Sequence, residues 1–172
     1  NEYTISFESN GGSTVNPITK AYGEAVEAPE DPEKVGYTFD GWYSDEALEN
    51  KYEFSVMPGS NITLYAKWNI NGYTITFEEN GGSEVEDITA DYNSVITAPA
   101  EPTKNHYTFD GWYSDEAFEN KYEFSVMPSE NITLYAKWNV NKYKVTWNNI
   151  DGQDGGNDYY RGTCCYVREI DR

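Results

Sequence analysis

Tyr37-Thr38-Phe39-Asp40-Gly41-Trp42-Tyr43-Ser44-Asp45-Glu46-Ala47 recurs unchanged at 107–117. Self-similarity of this length at a fixed offset marks an internal duplication, which has to be recognised before any element is assigned. Upstream, Tyr3-Thr4-Ile5-Ser6-Phe7 returns as Tyr73-Thr74-Ile75-Thr76-Phe77, and Asn10-Gly11-Gly12-Ser13 as Asn80-Gly81-Gly82-Ser83. Downstream, Asn61-Ile62-Thr63-Leu64-Tyr65-Ala66-Lys67-Trp68-Asn69 returns at 131–139. The period is roughly 70 residues, long enough for each copy to be a small domain rather than one layer of a solenoid. The expected division is 1–72 for the first unit, 73–142 for the second, and 143–172 for a partial third. That third stretch opens with Tyr143-Lys144-Val145-Thr146-Trp147 and then diverges. Arg161, Arg168, Arg172, Cys164 and Cys165 all lie in it, and neither repeat has an arginine or a cysteine.

Within one unit the apolar pattern is that of strands. Tyr3, Ile5 and Phe7 alternate with Thr4 and Ser6, the period-two signature of a half-buried strand. Asn10, Gly11 and Gly12 suit a reversal because asparagine and glycine tolerate positive φ; Asn80, Gly81 and Gly82 repeat it. Val15 and residues 18–22 supply the returning strand. Ala28-Pro29 and Asp31-Pro32 predict an irregular connection, since proline cannot join a central ladder. Tyr37, Phe39 and Tyr43 alternate along a third strand, with Gly41 marking a bulge or a close backbone approach. Residues 44–48 are read as one short helical turn with Ser44 as its cap. On the last strand Ile62, Leu64, Ala66 and Trp68 face one way and Thr63, Tyr65 and Lys67 the other. The expected structural core is Tyr3, Ile5, Phe7, Phe39, Trp42, Leu64 and Trp68, repeated as Tyr73, Ile75, Phe77, Phe109, Trp112, Leu134 and Trp138. The fold class is therefore mostly β, or α+β with little helix: two tandem small domains of about four strands each, plus a partial third. Between them, Trp68-Asn69-Ile70-Asn71-Gly72-Tyr73 leaves no Gly/Ser-rich tether, so limited bending is expected.

The composition narrows the function. Thirty acidic residues against 12 lysines and arginines give a formal net charge of −18. Phosphate binding needs clustered cations, so nucleic acid is not an expected partner. Anionic lipid is disfavoured for the same reason, and no apolar run is long enough to cross a bilayer. The adjacent Cys164 and Cys165 cannot staple distant segments to each other, and they lack the Cys-x-x-Cys spacing of a redox pair. The chain opens on Asn1 with no signal peptide, so it is expected to be part of a longer polypeptide.

Each motif that could carry chemistry meets a plainer reading. Trp42 and Trp112, beside tyrosines, could stack sugar rings; a small unit poor in aliphatics needs them inside, so core packing is expected. Tyr65 and Tyr135 lie opposite the core face and are the candidate adhesive surface. Asp40, Asp45, Glu46 and Glu49, repeated at Asp110, Asp115, Glu116 and Glu119, match no calcium loop and are expected to be solvated. Residues 151–158 look more like a calcium loop, but Gly162 stands where a bidentate glutamate is needed. His106, the one histidine, replaces Gly36 and is expected to be a loop residue, leaving no repeated nucleophile–histidine pair. Asn61-Ile62-Thr63 and Asn131-Ile132-Thr133 fit the glycosylation pattern but serve equally as turns before a strand. No catalytic residue, cofactor or metal is expected.

Together these blocks resemble the Listeria–Bacteroides repeat family, seen also as the B repeat of internalin-type proteins. The resemblance rests on the Asn-Gly-Gly turn after Tyr-x-Ile-x-Phe, on Gly-Tyr-Thr-Phe-Asp-Gly-Trp-Tyr at 36–43, and on Leu-Tyr-Ala-Lys-Trp at 64–68 and 134–138. It covers 3–142 and the first strand of the third unit; His106 and the tail depart from it. It implies β-grasp-like modules of bacterial secreted or cell-surface proteins, arrayed between a functional head and a wall anchor, with no catalytic residues to carry over. The leading expectation is a stalk or spacer, monomeric within a longer multidomain chain. The alternative is an adhesive module for a host protein or glycan, and an enzyme fragment is the third and weakest reading.

Overall fold

Eight strands make two separate four-stranded sheets in the computed structural model, which describes residues 1–143. The first sheet holds β1 (Glu2–Glu8), β2 (Ile18–Ala21), β3 (Tyr37–Tyr43) and β4 (Ile62–Ile70) in the order β2-β1-β4-β3. The second repeats it with β5 (Gly72–Glu78), β6 (Ile88–Asp91), β7 (Tyr107–Tyr113) and β8 (Ile132–Val140) in the order β6-β5-β8-β7. β1 runs antiparallel to β2 but parallel to β4, with Ile5 opposite Ile62 and Phe7 opposite Leu64. A parallel pair needs a crossover rather than a hairpin. The proline-bearing connection before β3, then β3 itself, supplies it.

The turn after β1 works as its composition requires. Asn10 and Gly11 take positive φ, 50° and 85°. Gly12 is needed for a different reason: a Cβ there would overlap the ring of Trp68. That ring is fixed by its Nε1, which donates to the Ser9 carbonyl at 2.9 Å. Asn10 Nδ2 donates to the Ala66 carbonyl at 2.8 Å, tying the turn across to β4.

In β3 the simple alternation is corrected. Phe39 pairs with Trp68 and Gly41 with Lys67, so Asp40 is an extra residue in a β-bulge. The bulge resets the pleat. Phe39 and Trp42, three apart, both join the core, while Tyr43 pairs with Tyr65 on the other face. Gly41, at φ 145°, lies so close to Lys51 Cε that a Cβ would have to displace it.

The expected helical turn at 44–48 does not form; the described residues contain strands, turns and bends but no helix. The reason is local. The Asp45 carboxylate accepts the backbone N–H groups of Glu49 and Asn50 at 3.2 and 2.9 Å, and Leu48 adopts φ 58°. An Asx-type bond followed by a left-handed residue closes a loop rather than propagating a helix.

The apolar face of the first sheet is therefore covered by irregular backbone. Val26 N–H donates to the Ser55 carbonyl, Met57 N–H to the Glu24 carbonyl, and Gly23 N–H to the Met57 carbonyl, at 2.8 to 3.0 Å. These bonds lay 23–26 against 55–57 across the face. Beneath them Ile5, Val26, Trp42, Met57, Leu64 and Ala66 form the buried cluster. Ile75, Phe77, Ile96, Trp112, Met127, Leu134 and Ala136 form the second.

Candidate functional site

Two surfaces could carry function: the outer face of β3 and β4, and the joint between the two sheets. On the outer face, the bulge residue Asp40 accepts a hydrogen bond from Tyr43 Oη at 2.5 Å and one from Asn69 Nδ2 at 3.4 Å. Lys51 Nζ donates to the Asp40 carbonyl at 2.6 Å, and Lys67 Nζ lies 4.7 Å from the centre of the Tyr43 ring. The Tyr43 hydroxyl, then Lys51, Asn69 and Lys67, hold the Asp40 carboxyl below its ordinary range against an opposing desolvation effect. Asp110 is lowered in the same way, chiefly by Tyr113. Asp45 and Asp115 are lowered by the backbone N–H groups of their loops.

The arrangement binds its own charges internally. Lys51 and Lys67 each donate to a backbone carbonyl, and the Asp45 carboxylate anchors its own loop. No group of three or more His, Cys, Asp or Glu suited to a metal occurs among the described residues. A shallow groove of about 330 Å³ runs beside Lys34, Tyr37, Phe39 and Trp68. Lys34 Nζ closes one side of it, donating to the Asn10 carbonyl at 2.9 Å and lying 4.5 Å from the Tyr37 ring centre.

These carboxylates make stability pH-dependent in a definite direction. Their folded pKa values are lowered, so the unfolded chain takes up protons first as the solution is acidified. The stabilisation is complete above the ordinary aspartate value and is lost as pH falls through the folded values. The denaturant midpoint should therefore drop on acidification below about pH 5. Asp45→Asn together with Asp115→Asn should flatten that drop, and an undiminished acid slope would remove these loops as its cause.

Tyr65 and Tyr135, the adhesive candidates, are half-buried rather than fully presented. Tyr65 Oη donates to Glu46 Oε1 at 3.2 Å. Desolvation first, then the charge of Glu46, raises its pKa; Glu116 stands in the same relation to Tyr135. Of the residues assigned to the core from sequence, Ile5, Trp42, Leu64, Ile75, Phe77, Trp112 and Leu134 are buried. Tyr3, Phe7, Phe39 and Trp68, with Tyr73, Phe109 and Trp138, pack against them half-exposed. Sequence reading missed Met57 and Met127, both wholly buried, and Val26 and Ile96. The signal was available in Phe54-Ser55-Val56-Met57, which recurs at 124–127. Residues 151–158, Cys164 and Cys165 lie outside the described residues.

The joint is shorter than the sequence implied. β4 ends at Ile70 and β5 begins at Gly72, leaving Asn71 between them. Asn71 N–H donates to the Gly36 carbonyl at 2.9 Å, and its own carbonyl accepts Tyr92 N–H at 2.8 Å. Its side-chain oxygen accepts Thr38 Oγ1 at 2.7 Å. One residue is thus bonded to both units. The Tyr92 ring meets Tyr37 of the first unit edge-on at 6.1 Å and Tyr73 of the second at 6.5 Å.

A family profile for the Listeria-Bacteroides repeat domain matches residues 3–67 and again 73–137. The chain belongs to this family. It is 46% identical over 164 residues to a putative membrane protein of Evansella cellulosilytica, a match covering 94% of this chain and 24% of that protein. That share leaves fewer residues unmatched than lie after residue 142, so the similarity extends beyond residue 142. Internalin H of Listeria monocytogenes is 40% identical over 143 residues, covering 81% of the chain and 25% of the internalin. The chain thus spans about a quarter of the length of these relatives. Among solved structures, domains 3-4 of the Streptococcal High Identity Repeats in Tandem from a cell surface protein align with 80% of this chain and 96% of theirs at 14% identity. Their TM-score of 0.25 is too low to argue a common arrangement. The Listeria-Bacteroides repeats here form a tandem segment, and no helix among the described residues is long and apolar enough to cross a membrane.

Proposed function

We propose that this tandem segment is a non-catalytic spacer of a bacterial surface protein, holding another domain away from the cell. The observation that carries the reading is Asn71. A one-residue link bonded on both sides, with Tyr92 wedged across it, restricts the angles two modules can sample, whereas a flexible tether would leave them free. Relatives named as an internalin and a membrane protein support a surface location, and the acidic excess supports mutual repulsion between modules. We take 1–72 and 73–142 as separately folding units, each with its own core cluster and no shared core residue. The outer-face lysines are taken up by backbone carbonyls and rings, and Asp40 and Asp45 by hydroxyl, amide and backbone donors, which supports a module without a reaction centre.

Small-angle scattering tests this. The spacer reading expects an elongated particle whose dimensions change little when salt is raised, because the joint rather than repulsion sets them; repulsion beyond about 10 Å is already screened at 0.1 M salt. A compact particle with a broad contact between the units would sink it. Saturable binding of the chain to a host glycan or receptor, abolished by Tyr65→Ala and Tyr135→Ala together, would favour the adhesive alternative instead.

A further inference from the structure

The joint between the two sheets has a ball and a socket, and the chain carries a second ball. The ball is Tyr92. The socket is Gly36, at φ 77°, where a Cβ would fall inside the Tyr92 ring. The missing side chain is therefore what lets the ring sit there, with Tyr37 and Tyr73 at its edges. In the first unit Asn1, Tyr3 and Tyr22 stand where Asn71, Tyr73 and Tyr92 stand in the second. The resemblance extends to the backbone: Tyr22 N–H donates to the Asn1 carbonyl at 3.0 Å, as Tyr92 N–H does to the Asn71 carbonyl at 2.8 Å. Yet Tyr22 is 70% exposed, whereas Tyr92 is half-buried. A tyrosine ring left this open loses the apolar burial its counterpart obtains.

The second unit shows what closes such a socket. His106 replaces Gly36 and keeps its left-handed backbone, at φ 67°. Its carbonyl accepts Asn141 N–H at 2.8 Å, just as Gly36 accepts Asn71. Its ring meets Tyr143 edge-on at 6.2 Å, and Tyr143 occupies the position of Tyr73. Here the aromatic partner of the following tyrosine comes from the socket residue itself, where the first joint takes it from Tyr92.

We propose that the Asn1–Tyr3–Tyr22 surface is a docking site for another copy of this module, seated ahead of it head to tail through a glycine at the Gly36 position. The same geometry makes that position a selector. A glycine admits a tyrosine from the next module, and a histidine excludes it. The occupant follows from the joint already present in the chain, whose two halves are Gly36 with Tyr37 on one module and Tyr73 with Tyr92 on the next.

The test adds one copy of residues 1–70 directly before Asn1 of the full chain, so that Asn1 follows an Ile70 as Asn71 does. Tetranitromethane nitration is then followed at Tyr22 and Tyr92 by peptide mass spectrometry. In the chain as it stands, Tyr22 should react several-fold faster than Tyr92. In the extended chain it should slow to the Tyr92 rate, and it should stay fast when the added copy carries Gly36→His. A Tyr22 rate unaltered by the added copy would overturn the proposal. So would equal protection by the glycine and histidine versions, since that would reflect crowding by a tethered neighbour. Either failure leaves the spacer reading to be decided by scattering, because that reading rests on Asn71.

Discussion

Trp42→Ala should destabilise the first unit by about 3–5 kcal/mol, the usual cost of deleting a buried tryptophan. Trp42 is 3% exposed. Its ring meets Phe7 at 4.7 Å and Phe39 at 5.4 Å, both edge-on, so truncation leaves a cavity and removes two aromatic contacts. A unit of this size has a total stability on the order of 4–10 kcal/mol, so the loss takes much of it. One effect works in the other direction. Trp42 Nε1 is buried with no acceptor among the described residues, and deleting it removes that penalty. Trp42→Phe should therefore cost much less than Trp42→Ala, because it keeps most of the ring and discards the unpaired N–H. The two clusters share no residue, so the change should be confined to one unit. Hydrogen exchange should show loss of protection in peptides around Ile5 with peptides around Ile75 unmoved. An unchanged denaturant midpoint would mean that Trp42 does not serve as a core residue, and would return it to the role of a sugar-stacking platform.

That prediction could be made from the sequence in outline, and the reason shows what sequence can carry. The duplication, the Tyr-x-Ile-x-Phe strand and the alternation of Leu64 and Ala66 are local patterns, and each became a strand with the expected face inward. The Asn-Gly-Gly turn was legible because its residue types answer to φ. Gly41 was legible as an interruption, but its consequence was not. One extra residue at Asp40 reverses the facing of everything after it, and periodicity counted through a bulge assigns Tyr43 to the wrong side. Residues 44–48 misled for a related reason. Ser44 followed by acids is a good helix start, but Asp45 spends its carboxylate on backbone N–H groups further along. The joint was legible as a short link. Its ball and socket were not, because Gly36 and Tyr92 are far apart in sequence and their contact depends on how two units meet.

Met57→Ala should cost about 2–5 kcal/mol, a loss that strand periodicity does not foretell. Met57 belongs to no strand and follows an irregular run, yet it is 0% exposed. A one-sided sheet must cover its apolar face, and this one has no helix with which to do so. The cover is the pair of segments 23–26 and 55–57, held by backbone bonds at both the N–H and the carbonyl of Met57, whose side chain joins Ile5, Trp42 and Leu64 in the buried cluster. Methionine suits that place because an unbranched thioether fills an irregular gap that a β-branched residue would not. Met57→Leu keeps the volume and should cost less than about 1.5 kcal/mol. The alanine variant leaves the cavity open while the backbone bonds remain, so the unit should still fold but melt earlier. Met127→Ala should do the same to the second unit, and the double variant should show the two losses independently. Chemical denaturation followed by hydrogen exchange in each unit reads this directly. If Met57→Ala leaves the midpoint where it was, the segment lies over the sheet without closing it, and the core of each module must be sought among its aromatic residues alone.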